Sequence, residues 1–185
     1  MISKAAKDSL STLFQQAIKE TLDLENNPHQ WELQSLEGYS KVRAKEFIIL
    51  TICCYDFRLL ATLHFTYNRP TLHYVSESLQ LPVGQVDRAR FDDYLGEYCN
   101  HYCGIIKRTL GSVFPHLGVS TPEKLKEESA LYFQNLEYEY AMYSLASSKN
   151  KVHFSFGLFI CPAGDLDFTI LRKAYSAKAE EIEFF

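Results

Sequence analysis

FDDYLGEYCNHYCGIIKRTLGSV, residues Phe91 to Val113, reads as one long amphipathic helix. At the helical period, Tyr98, Tyr102, Ile105, Ile106, Leu110 and Val113 fall on one broad apolar face. Asp93, Glu97, Asn100, Gly104, Lys107 and Gly111 fall in a narrow stripe on the opposite side. The apolar face needs a partner to bury it. The stripe reads most simply as a solvated face, but its glycines are out of place there. A Gly inside an exposed helix costs roughly 1 kcal/mol relative to Ala, with no packing to recover it. Gly111 also suits a helix end, whereas Gly104 sits in the interior. Two glycines on a polar stripe suggest that something comes close to this face.

The rest of the chain supplies a domain for the helix to pack in. Its 185 residues fit one domain able to bury a real core, and its apolar fraction of 46% and aromatic fraction of 14% are those of a globular protein. A formal charge of −4 leaves no basic footprint and argues against nucleic acid as a partner. No stretch has the length of a membrane span, and MISKAAKDSL lacks the apolar run of a signal peptide, so no membrane association and a cytoplasmic location are expected. Among five cysteines, Cys53, Cys54 and Cys161 lie in apolar runs and read as small buried hydrophobes.

Leu10, Leu13, Phe14, Ala17, Ile18 and Leu22 repeat at helical spacing, which predicts a first helix over Ser9 to Leu24, capped by Asp8 or Ser9 and stopped at Asn26-Asn27-Pro28. A polar bridge follows, with room for a short strand around Trp31 to Leu33. Glu46 to Tyr55 and Phe57 to Tyr67 are dense in β-branched and aromatic residues and predict an antiparallel hairpin broken at Asp56. Pro70 suits a first helical position, opening a short helix to Leu79, and Asp87 opens the long one. Thr121-Pro122 reads as another N-cap and helix start. Leu136 to Ala146 and Val152 to Cys161 predict a second hairpin, with Ser147 to Asn150 as its turn. A further short strand fits Asp165 to Leu171, and residues 172–185 form a charged tail. Helix, strands, two helices, strands, without βαβ alternation, predicts an α+β domain: an antiparallel sheet with helices packed on it. One domain over residues 1–185 is expected.

Asp93-x-x-x-Glu97-x-x-Asn100, with Pro122 about twenty residues on, resembles the motif of the CheC/CheX/FliY phosphatases of bacterial chemotaxis. Gly96 before Glu97, Gly104 after Asn100, Lys107 and Leu110 are similar to the helix of CheX-type members. The hairpin ending at Tyr67, the helix from Pro70 and the Gly84 loop follow the same order. The resemblance is strongest over residues 40–125. One Glu-x-x-Asn pair, where CheC-type chains usually carry two, points to the CheX type, as a divergent member. Tyr98, Cys99, His101 and Tyr102 are bulkier than the residues expected beside the motif.

The resemblance implies a CheC-like fold and a partner: the phosphorylated receiver domain of a CheY-like response regulator. It assigns Asn100 to hold the attacking water and Glu97 to pair with the receiver's Lys. Asp93, Gly104, Lys107 and Pro122 would contact the partner. It further implies a homodimer formed through the sheets, for which Tyr138, Tyr140 and Tyr143, read as one face of a strand, would suit the interface. No cofactor or metal is expected on this chain, the divalent metal belonging to the receiver. A metal site at Cys99, His101 and Cys103 is disfavoured because His101 points away from both cysteines around the helix. Other readings are a docking module of the same fold without turnover, and an unrelated α+β domain in which Glu97 and Asn100 do not converge at the surface.

Overall fold

The computed structural model describes residues 1–23, 29–42, 44, 46–129 and 137–170. Among the described residues, three α-helices, α1 (Lys4–Thr21), α2 (Arg69–Ser78) and α3 (Arg88–Leu110), accompany seven strands. The strands are β1 (Glu32–Leu36), β2 (Glu46–Cys53), β3 (Phe57–Phe65), β4 (Gly118–Val119), β5 (Glu123–Lys126), β6 (Tyr140–Ser147) and β7 (His153–Pro162). They form one sheet in the order β1-β6-β7-β3-β2-β4, with β5 also on β2, and every strand pairing is antiparallel. The expected α+β architecture is the one observed.

Strand alternation gives the sheet two faces. Ile48, Leu50 and Ile52 of β2, Leu59, Ala61, Leu63 and Phe65 of β3, and Phe154, Phe156, Leu158 and Ile160 of β7 form the main core with the helices. Leu10, Leu13, Phe14, Ala17 and Ile18 of α1 and Phe91, Leu95, Cys99, Tyr102, Ile106 and Leu110 of α3 close it from above. The other face carries a smaller cluster of Phe47, Leu60, Tyr143 and Phe159.

Local chemistry sets the helix ends. Ser3, rather than Asp8 or Ser9, caps α1 by accepting from the Ala6 N–H, so this helix starts five residues earlier than its apolar repeat implies. The expected stop at Asn26-Asn27-Pro28 and the tail 172–185 lie outside the described residues. Asn68 and Asp87 cap α2 and α3 in the same manner. The helix predicted to start at Pro122 is instead the edge strand β5, held on β2 from Ile49↔Glu123 to Glu46↔Lys126. Its Lys124 reaches Glu46 at 3.1 Å and Asp92 of α3 at 2.6 Å. Arg88 completes this cluster: it pairs with Glu46, bonds Asp92 at 3.0 Å, and lies 4.5 Å over the Tyr67 ring. The first turn of α3 is thereby tied to both β2 and β5. The Glu46 carboxyl, which burial alone would push up, is held below its ordinary range by hydrogen bonds from Arg88 and Lys124.

Three further expectations change. Tyr140 packs with the helix-side core while Tyr143 is buried on the other face, so Tyr138, Tyr140 and Tyr143 do not share one face. Tyr138 and Tyr143 both meet the Phe159 ring edge-on. Cys53 is exposed, Cys54 and Cys161 are half-buried, and Cys99 and Cys103 are the buried thiols. Of the strand expected over Asp165 to Leu171, residues 165–170 are described, and they hold a single parallel bridge, Ile2 to Leu166.

His64 gives the second face a pH-dependent element. Its ring stacks on Phe47 at 5.0 Å, meets Tyr39 edge-on at 5.5 Å and shares a 3.0 Å hydrogen bond with the Thr62 hydroxyl. Burial pushes its pKa from 6.5 down to about 3. The unfolded chain takes up this proton below pH 6.5 while the folded chain refuses it, so the stability is complete above 6.5 and declines as pH falls toward 3. Acidification to pH 5 is expected to remove roughly 2 kcal/mol through this group. Urea denaturation of the wild type and His64→Phe at pH 7 and pH 5 checks it. An equal acid-induced loss in both proteins would contradict the expectation.

Candidate functional site

The polar stripe of α3 is exposed as its sequence implies. Phe91, Leu95, Cys99, Tyr102, Cys103, Ile105, Ile106 and Leu110 are buried beneath the helix. Asp93, Glu97, Gly104 and Lys107 face outward, and Asn100 is half-exposed. One turn apart, the Asn100 amide Nδ2 donates to the Glu97 Oε2 at 3.3 Å. This leaves the Asn100 Oδ1, a good acceptor, beside the second donor hydrogen of the same amide. A carboxylate and an amide therefore converge on one solvent-facing spot.

The bulky neighbours of the motif do not crowd this spot. Tyr102 is fully buried between Phe14 of α1, at 6.4 Å and edge-on, and Phe156 of β7, at 5.2 Å. Tyr98 turns toward α2 and the sheet, 6.5 Å from Tyr74 and 5.8 Å from Phe154. Burial raises the hydroxyl pKa values of both, as it does the Cys99 thiol beside Cys103, so none of these groups ionises near neutrality. His101 is exposed and turned away from the two buried cysteines. Among the described residues, no group of three or more His, Cys, Asp or Glu side chains is arranged to hold a metal ion.

A Cβ placed on Gly104 would meet nothing within 4 Å. Among the described residues, nothing therefore requires glycine there. Gly104→Ala is expected to raise stability by about 0.5–1 kcal/mol, from the helix propensity alone. Chemical denaturation measures this; a loss of stability would mean that the helix needs the glycine for itself.

Pro122 lies off the helix, half-buried in the segment between β4 and β5 that runs along the edge of β2. It shares an edge of the sheet with α3's anchor at Asp92 rather than a place on the stripe. At the far end of α3, Gly104, Lys107, Arg108 and Gly111 form a groove of about 420 Å³ with Phe114, Pro115, His116 and Leu117. The sequence does not single out Arg108 and His116 beside this groove, because it forms only when the turn after Gly111 folds back. The sole local signal is the Pro115-His116 pair, with His116 at φ 74°.

Comparison with solved structures shows the same fold. The CheX–CheY–BeF3–Mg2+ complex of Borrelia burgdorferi contains a chain matched with a TM-score of 0.64 at 15% identity, covering 81% of this chain and 96% of that one. A CheC-like protein of Shewanella oneidensis matches with a TM-score of 0.60 at 11% identity, over 83% of this chain and 96% of that one. CheX of Vibrio vulnificus matches with a TM-score of 0.58 at 13% identity, over 80% and 96%. No protein-family model and no curated protein matches the sequence. Similarity at this level of identity lies in the backbone, and it spans more than the part of the sequence in which the motif stands. The chain has the fold of the CheX and CheC-like chemotaxis proteins, and this likeness of fold covers most of its length.

Proposed function

We propose that this protein is a CheX-like phosphatase that removes the aspartyl phosphate of a CheY-like receiver domain. The observation that carries the reading is the pairing of Glu97 and Asn100, 3.3 Å apart on an exposed helix face, with open space at Gly104 one turn on. An aspartyl phosphate is an activated acyl phosphate, and its own protein supplies the metal and the Lys beside it. What remains to be supplied is a water held in line. Phosphoryl transfer needs positioning and charge placement more than new covalent chemistry. On docking, Glu97 turns to the receiver's Lys and releases the Asn100 amide. Asn100 then holds a water by one donor and one acceptor atom. The water oxygen bonds to phosphorus, the bond from phosphorus to the aspartate oxygen breaks, and inorganic phosphate and one proton leave. Asp93 and Pro122 support docking at the edges of the contact. The chain itself binds no metal in this scheme and works in the cytoplasm as a homodimer; a monomeric mass by light scattering at micromolar concentration would remove the last point.

The test is phosphate release from a panel of phosphorylated receivers, with and without the protein. Faster release by the wild type supports the phosphatase. Receiver binding without faster release would make the protein a docking module of the same fold.

A further inference from the structure

We infer that the pocket between α2 and the turn joining β6 to β7 binds a small organic carboxylate, a monoanion with an apolar body. Its cavity of about 340 Å³ is lined by α2, by that turn and by His29, and none of the lining residues is on α3. The site is therefore separate from Glu97 and Asn100, and binding there stands apart from the phosphatase reading.

Some of the polar lining is already engaged and some is not. Glu77 Oε1 lies 3.3 Å from His73 Nδ1, and Glu77 Oε2 lies 3.9 Å from His29 Nε2. Two imidazoles and a carboxylate also suggest a metal, but among the described residues no three such groups are arranged to hold one. Arg69 and the Asn150 amide line the same cavity. Both residues are exposed, and among the described residues neither side chain has a polar partner. Arg69 stands eight residues before Glu77 on α2, about 12 Å along the axis, and is not tied to that carboxylate.

Charge decides the class of ligand. The fixed cations of the lining and the turn are Arg69 and the exposed Lys149 and Lys151, which flank Asn150. Against them stand Glu77 and Glu32, which β1 places opposite Ser147 at the start of the turn. One positive charge is left in excess, in a chain whose formal charge is −4. A carboxylate matches that excess, whereas a phosphate dianion would exceed it and be repelled by Glu77. A guanidinium offers a carboxylate two parallel N–H donors, and the Asn150 amide can add another.

Packing decides the body. Tyr74 and Val152 are buried walls of the cavity, and Pro70 adds to its apolar lining. The Tyr74 ring is fixed to the core, meeting Trp31 at 5.6 Å and Phe154 at 5.5 Å, both edge-on. On its other contact the His29 ring meets it at 4.9 Å. The volume is at the small end of ligand pockets, which run about 300–1,000 Å³. An aromatic or short branched carboxylate would lay its body on Tyr74 and its head on Arg69.

The experiment titrates phenylacetate into the full chain by calorimetry, with phenylacetamide and phenyl phosphate as the neutral and more highly charged comparisons. Trp31, the one tryptophan of the sequence, lies 6.4 Å from His29 and 5.6 Å from Tyr74, so its fluorescence reports on this pocket. Saturable binding of phenylacetate with a Kd of about 1 mM or tighter is expected, with a matching change in Trp31 emission. Arg69→Gln is expected to weaken it about tenfold or more, through loss of a charge-assisted hydrogen bond. Arg69 is exposed, so the variant keeps the fold. No saturation up to about 10 mM, equal binding of phenylacetamide, or an unchanged Kd in Arg69→Gln each overturns the carboxylate site. Tighter binding of phenyl phosphate than of phenylacetate overturns it as well, since the pocket would then be a phosphate site.

Discussion

Asn100→Ala is expected to lower kcat for receiver dephosphorylation by about a hundredfold while receiver binding stays close to that of the wild type. The magnitude follows from what the residue would do. Holding one water in line replaces a search through solvent by a fixed geometry, and a loss of that kind commonly costs about 2.7 kcal/mol of barrier, or a factor of about 100. A collapse of the fold cannot mimic the result. Asn100 is half-exposed, its side chain bonds Glu97 across the helix surface, and Ala is the better helix former. The variant should be as stable as the wild type or slightly more so. Glu97→Ala should act differently, raising KM as well as lowering kcat, because a carboxylate that meets the partner's Lys binds in the ground state too. Single-turnover phosphate release, read beside receiver binding by calorimetry, separates the two. Equal kcat values for the wild type and Asn100→Ala would end the positioned-water mechanism.

The pairing of Glu97 with Asn100 was legible because a helix repeats its faces every three to four residues, so polar residues at that spacing cannot help sharing a side. The hairpin of β2 and β3, the helix opening at Pro70 and the start of α3 at Asp87 were legible for equally local reasons. What was not legible depends on contacts made far along the chain. Glu123-Lys124-Leu125-Lys126 has a helix former's composition, and it is a strand because the edge of β2 offers unpaired backbone groups and Glu46 and Asp92 await Lys124. Local propensity yields there to tertiary pairing. Tyr140 and Tyr143 were assigned one face although their spacing is odd, and a strand sends odd-spaced side chains to opposite sides. Cys53 sits in an apolar run but points, with Arg58, to the face that the helices leave uncovered. The bulk of Tyr98 and Tyr102 counted against the motif in the sequence. Their burial removes that objection, since the volume lies under the helix and not beside Asn100.

Tyr102 carries the second large expectation, and it has two signs. The ring is fully buried and joins α1, α3 and β7 through Phe14 and Phe156. Tyr102→Ala would leave a cavity where three elements meet, and the expected loss is about 3–5 kcal/mol. Domains of this kind have about 5–15 kcal/mol in all, so the variant would be marginal. The hydroxyl is another matter. Among the described residues it has no hydrogen-bond partner, and burial, with the Cys103 and Cys99 thiols nearby, holds its pKa well above the ordinary value. A buried polar group left unpaired costs about 1–3 kcal/mol, which the folded state bears with no return. Tyr102→Phe keeps the ring and deletes the liability, so it is expected to gain about 1 kcal/mol. Equilibrium urea denaturation of both variants decides the matter. A loss on Tyr102→Phe would show that the hydroxyl is bonded after all, through a thiol or an enclosed water. Because position 102 lies on the side of α3 away from Asn100, the stabilised Phe variant should dephosphorylate receivers at the wild-type rate. A change in kcat would show that this core contact also sets the position of the amide, and that stability and site geometry are joined through a single ring.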